Sequence, residues 1–149
     1  MTVPSVQSRR ADERPVGGRR IEDYAMIGDG HTAALVATDG AIEWLCMPRF
    51  DSGACFASML GSEENGHWTI APQEQVLGVE RRYRPGTLVL ETEMITAAGS
   101  VRIIDVMPHR HDHPTVIRIV EGVTGTVPMH MVLGPRHEVA SRVRPGRLP

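Results

Sequence analysis

Short runs of alternating apolar and polar side chains, punctuated by Gly, Pro and Asp, dominate this chain and predict strands rather than helices. The clearest are Leu88–Ile95 and Val101–Met107, which flank Ala97-Ala98-Gly99-Ser100, a Gly-containing hairpin loop; Pro108 ends the second arm. Thr115–Val120 and Val127–Leu133 are further β-branched runs. In Val79–Arg84, Arg81, Arg82 and Arg84 leave only a thin apolar face, which suits an edge position or a crowded polar neighbour. Nearer the N-terminus, Ala25–Asp29 reads as a strand closed by Gly28, and His31–Ala37 as another. Thr38-Asp39-Gly40 then predicts a tight hairpin, with Asp-Gly favouring a type I′ turn. Its second arm places Ile42, Trp44 and Cys46 on one face and Glu43, Leu45 and Met47 on the other, until Pro48 removes a ladder donor. His67–Ala71 resumes strand character up to Pro72. One helix is predicted over Ser52–Gly61: Ser52 caps it, Phe56, Met59 and Leu60 share a face, and Gly61 ends it in the left-handed conformation. Many short strands with one short helix make a mainly β chain, an antiparallel β-sandwich.

Residues 1–20 lack an apolar period and read as a disordered leader, residues 21–133 as the sandwich, and 134–149 as an irregular tail rich in Pro, Gly and Arg. A tail unable to finish a sheet leaves an incomplete sandwich, whose unpaired edges invite aggregation or a partner. The 149 residues fit one domain, and aromatics at 4% leave the core to Val, Ile, Leu, Met and Ala. A formal charge of −2 supplies no basic field for nucleic acid. No apolar run reaches bilayer-spanning length and no secretory h-region is present, so the chain reads as cytoplasmic, without a membrane partner. Cys46 and Cys55 then read as buried thiols, with no CxxC pattern for zinc.

Candidate chemistry concentrates where the Ile42 strand ends. Pro48, Arg49, Phe50 and Asp51 leave the sheet as a cation, a ring and a carboxylate in a row. Arg and Asp hydrogen-bond hydroxyls in fixed directions, and an aromatic face covers the C–H side of a sugar. The alternative is an Arg–Asp pair beside a core Phe. His109-Arg110-His111-Asp112-His113 is dense in metal donors, but it lies between Pro108 and Pro114 with a cation inside it, and reads as a solvated loop. Asp29, Asp51 and Asp105 stand at strand ends. Glycoside hydrolysis needs two carboxyls converging on one bond, and nothing in the spacing brings these together. Turn formation accounts for Asp29 and strand-end solvation for Asp105. No phosphate loop, nucleophile elbow or HExxH helix occurs, and no catalytic residue, metal or cofactor is assigned.

Beyond single motifs, an ordered series of segments carries a resemblance. It comprises Ile21-Glu22-Asp23-Tyr24-Ala25-Met26-Ile27-Gly28-Asp29, Thr38 through Ser52, Leu60-Gly61, Gly66-His67-Trp68 and Tyr83-Arg84-Pro85-Gly86-Thr87. Together these resemble the N-terminal domain of glycoside hydrolase family 15, the bacterial trehalase and glucoamylase-like enzymes, as far as about Leu133. The resemblance implies an antiparallel supersandwich packed on an α/α toroid, and inverting hydrolysis of an α-glucoside such as trehalose or a maltooligosaccharide by two glutamates of that toroid. Neither glutamate falls in this sequence, so a truncated, inactive piece is expected, with the tail out of register through truncation or frameshift. A stand-alone carbohydrate-binding or interaction module is the alternative. The resemblance also implies that the Pro48–Ser52 loop borders the sugar pocket.

Overall fold

A computed structural model describes residues 18–136. It holds ten strands: β1 (Tyr24–Gly28), β2 (Ala33–Ala37), β3 (Ala41–Cys46), β4 (Ala54–Phe56), β5 (His67–Pro72), β6 (Gly78–Tyr83), β7 (Leu90–Thr96), β8 (Gly99–Val106), β9 (Ile117–Gly125) and β10 (Met129–Gly134). One sheet runs β1-β2-β3-β5-β10, with β4 beside β3; the other runs β6-β7-β8-β9. Every pairing is antiparallel. The sequence expectation of a mainly β, antiparallel sandwich holds, and of the two positions open to β6 it takes an edge among the described strands. Two apolar clusters fill the interior. One gathers Ile27, Val36, Ile42, Leu45, Phe56, Leu90 and Met107; the other gathers Ile70, Met94, Val101 and Ile103.

Three local expectations give way to different geometry. No helix forms over Ser52–Gly61: Ala54–Phe56 is strand β4, followed by a 3-10 turn at Ser58–Leu60. Pairing with the end of β3 puts Phe56 in the core while Leu60 stays exposed, and Gly61 has φ −170°, an extended backbone rather than a left-handed cap. The β2–β3 turn is not type I′, because no described non-glycine residue has positive φ. Instead the Gly40 amide closes onto the Ala37 carbonyl at 3.1 Å, and only Gly40, with φ 84°, adopts the left-handed region.

That turn feeds a bulge. Val36 pairs with Ile42 but Leu35 pairs with Trp44, so Glu43 is the extra residue. The extra residue reverses the alternation. Ile42 and Leu45, three apart, both enter the core cluster, while Trp44 is only half-buried. Glu43 is itself buried, where its carboxylate accepts from the Tyr24 hydroxyl at 2.6 Å and meets Arg19. Arg19 also pairs with Asp39, so a residue of the stretch read as leader is fixed to the β2–β3 hairpin.

The two sheets are pinned by a charge pair rather than by apolar contact alone. Asp105 on β8 lies opposite Arg118 on β9, and both side chains are fully enclosed. The Arg118 Nε donates to Asp105 Oδ1 at 2.7 Å. Its Nη1 and Nη2 cross to the other sheet, donating to the carbonyls of Trp68 (2.8 Å) and Gly40 (2.7 Å). The guanidinium carbon also lies 5.3 Å from the Trp68 ring centroid. Asp105 is therefore not a solvated strand end: it continues the inward row of Val101 and Ile103, and its charge is tolerated there because Arg118 matches it.

One side of the sandwich stands open. On β5, Ile70 is 7% exposed, yet its inward-facing partner Met131 on β10 is 63% exposed, and Leu133 is 55% exposed. On β8, Ile103 is fully buried while Val120, opposite it on β9, is 43% exposed. These side chains point the right way for a core, but no described strand lies beyond them.

Candidate functional site

Three loops are tied together at one end of the sandwich. Asp29 follows β1, and its Oδ1 accepts from the amides of His31 (2.8 Å) and Thr32 (2.9 Å), the turn role expected of it. Its Oδ2 accepts from Arg110 Nε at 2.8 Å, which draws the 108–114 loop onto the β1–β2 turn. Arg110 Nη2 stands 2.7 Å from the same oxygen as an ionic contact without hydrogen-bond geometry. The Thr32 hydroxyl donates to the Cys46 carbonyl at 2.6 Å, and the Phe50 amide donates to the His31 carbonyl at 3.2 Å. The Pro48–Ser52 loop is thus anchored at both its root and its crown. Within it, the Arg49 amide donates to Ser52 Oγ and the Ser52 amide to the Arg49 carbonyl, each at 3.1 Å.

At the loop's crown Pro48, Arg49, Phe50 and Asp51 are all exposed. Arg49 Nε and Asp51 Oδ1 lie 3.2 Å apart, an exposed pair worth little to stability. Phe50 is 64% exposed, so its ring faces solvent rather than the core. A planar cation, a carboxylate and an uncovered ring, held on a backbone fixed to two neighbouring turns, are suited to contact a polar ring-shaped ligand.

Beside Asp29 lies an open groove of about 500 Å³, lined by Gly28, Asp29, Gly86–Val89 and Val106–His109. None of Pro48–Asp51 lines it. Asp29 supplies its charge at the wall. Burial pushes this carboxyl up, but the amides of His31 and Thr32 and the Arg110 guanidinium outweigh it and hold the carboxyl below its usual range. A carboxyl held ionised is the opposite of a general acid, which must keep its proton. Asp105 is sealed under Arg118. Among the described residues no three His, Cys, Asp or Glu side chains could hold a metal ion; in the 109–113 loop Arg110 is spent on Asp29 while His109, His111 and His113 face solvent. Cys46 and Cys55 are free thiols, raised chiefly by burial.

On the outer face of the second sheet, Arg82 and Arg84 clamp Glu91 at 2.7 Å each, and Arg102 meets Glu93 at 3.1 Å. This charged face neutralises itself and leaves no net cationic patch for an anion.

Asp29→Asn tests the loop tie. It is expected to cost about 1–3 kcal/mol at pH 7, the usual worth of a hydrogen bond to a charged partner. Because the folded carboxyl lies below its unfolded value, its contribution is complete above about pH 3.9 and is lost as pH falls through the folded value. Urea midpoints of the two proteins should therefore converge in acid; a gap that persists unchanged to pH 2 would contradict the assignment.

Against known proteins, the family described as trehalase-like, N-terminal, matches residues 9–144, nearly the whole chain. The chain belongs to this trehalase-like N-terminal family. The trehalase of Mycolicibacterium smegmatis is 34% identical over 134 residues, covering 77% of this chain and 20% of that protein. The trehalase of Mycobacterium tuberculosis is 33% identical over 134 residues, with the same coverage. The trehalase of Thermoplasma volcanium is 35% identical over 111 residues, covering 70% of this chain and 18% of its own. The trehalase-like domain thus spans about one fifth of the length of the curated relatives it matches. No solved structure matches it. No described helix of the trehalase-like domain is long and apolar enough to cross a membrane.

Proposed function

We propose that this domain is the non-catalytic N-terminal scaffold of a family 15-type hydrolase acting on trehalose, and that its Pro48–Asp51 loop borders the sugar site. The match across residues 9–144 to the N-terminal family carries the reading. Trehalose is preferred to starch-like glucans because the relatives are trehalases. The carboxylates support a scaffold rather than a catalyst: Asp29 is held ionised by Arg110, and Asp105 is enclosed. In this reading the general acid and base come from a helical portion outside the sandwich. Arg49 and Asp51 then position hydroxyls, with Phe50 against the sugar ring, so that the reacting bond meets those groups in line.

The test is a chimera in which this domain replaces the N-terminal fifth of the Mycolicibacterium smegmatis trehalase. Arg49→Ala in the chimera is expected to lower kcat/KM for trehalose about 10- to 100-fold, the scale of a positioning loss. Its Tm should not move, since the Arg49 side chain is exposed and, among the described residues, pairs with exposed Asp51. Unchanged kinetics at an unchanged Tm would remove the loop from the substrate site.

A further inference from the structure

We propose that Cys46 and Cys55 form a reversible disulfide that closes the Pro48–Asp51 loop into a ring when the chain meets a small-molecule disulfide. The inference is independent of the scaffold reading, because it rests on how the two strands flanking that loop are paired.

Cys46 is the last residue of β3 and Cys55 the middle residue of β4, so the loop leaves from one cysteine and returns to the other. The ladder between them skips a residue. Leu45 pairs with Phe56 and Cys46 with Ala54, which makes Cys55 the extra residue of a bulge, set beside Cys46 with nothing opposite it on β3. A bulge re-aims its side chain, and the Cys55 sulfur turns toward β3, where it accepts from the Met47 amide. Met47 is bonded to Cys46, and charge on the Cys46 thiol is felt at Cys55. Neighbouring strands lie about 4.7–4.9 Å apart, within the ~4.4–6.8 Å between Cα atoms that a disulfide spans. Both backbones are held in place. The Cys46 carbonyl accepts from the Thr32 hydroxyl at 2.6 Å, and the Cys55 carbonyl from the Arg136 amide at 2.9 Å. The bridge therefore calls for side-chain rotation and leaves the strands where they are.

The two thiols differ in access: Cys46 is buried and Cys55 half-buried, so Cys55 reacts first. Its thiolate attacks one sulfur of glutathione disulfide, that S–S bond breaks, and one glutathione thiolate leaves with the electron pair. The Cys46 thiolate then attacks the Cys55 sulfur, and the mixed disulfide breaks to release the second glutathione. The two protons lost by the protein thiols go to the two glutathiones. Burial raises both thiols above their usual value, so the pair stays reduced without an oxidant and exchanges on a scale of minutes to hours.

Trypsin provides the readout, because cleavage after Arg20, Arg49 and Arg81 puts Cys46 in peptide 21–49 and Cys55 in peptide 50–81. The folded 149-residue chain is incubated with glutathione disulfide, its remaining thiols are blocked with N-ethylmaleimide before unfolding, and the digest is weighed. Monomeric wild type should yield the two peptides joined, lighter by two hydrogens than their summed mass, and dithiothreitol should separate them. The bridged chain should keep the circular dichroism of the reduced one. Two maleimide-blocked peptides would overturn the proposal and leave the cysteines as packing residues alone. So would a lasting glutathione adduct on Cys55 with Cys46 still free, joined peptides confined to a covalent dimer, or a bridge that forms only with loss of the β signal.

Discussion

Replacing Arg118 with methionine is expected to lower the unfolding free energy by about 3–5 kcal/mol, the cost of leaving one member of a buried charge pair alone. Against the ~5–15 kcal/mol that holds most domains, that loss approaches unfolding. The reason is the number of groups that depend on one guanidinium. Asp105 would be left enclosed without its counter-charge, and the carbonyls of Trp68 and Gly40 would each lose the Arg118 donor. The double variant Asp105→Leu/Arg118→Met removes the orphaned charge and should recover much of the loss, although the two carbonyls still lack the guanidinium donors. Urea melts of the wild type, both single variants and the double variant give the coupling directly. A single variant within about 0.5 kcal/mol of wild type would show that the pair does not join the sheets.

Gly40→Ala should be nearly as damaging, at about 2–4 kcal/mol from backbone strain and overpacking together. The residue has φ 84°, and a Cβ there would sit 2.3 Å from the Ile70 carbonyl oxygen and 3.1 Å from the Met94 Cε. A methionine end can move; the Ile70 carbonyl belongs to β5 and cannot without disturbing the sheet. Gly40 also presents its carbonyl to Arg118, so the two substitutions touch one locus and should combine non-additively. A thermal melt of Gly40→Ala within 2 °C of wild type would contradict the packing described for this turn.

The strands were largely legible because period-two alternation survives wherever one face of a sheet is buried, as in Val101, Ile103 and Asp105 on β8. The same alternation misled at β3. Glu43 is an inserted bulge residue, and a single sequence gives no sign of which residue of Ile42-Glu43-Trp44 the ladder will skip. At Ser52–Gly61 the i, i+3, i+4 spacing of Phe56, Met59 and Leu60 resembled a helix, but a three-residue strand pairing with β3 buries Phe56 better than an isolated helical turn could. The Asp105–Arg118 pair was half legible. Asp105 falls on the inward row of β8, whereas Arg118 is recognised as its partner only from the β8–β9 register. Likewise Arg110 was visible as a cation spoiling a histidine cluster, but its reach to Asp29, 81 residues earlier, comes only from the fold. The Pro48–Asp51 loop stands out by its composition as a candidate; what the fold adds is the ties through Thr32 and His31.

If this sandwich supplies support while bond cleavage is performed elsewhere, the most direct measurement is glucose release from trehalose by the purified 149-residue chain. No release above a buffer blank is predicted, at any pH at which the chain remains folded. Glucose appearing in proportion to the amount of chain, and co-purifying with it through a final size-exclusion step, would contradict the account.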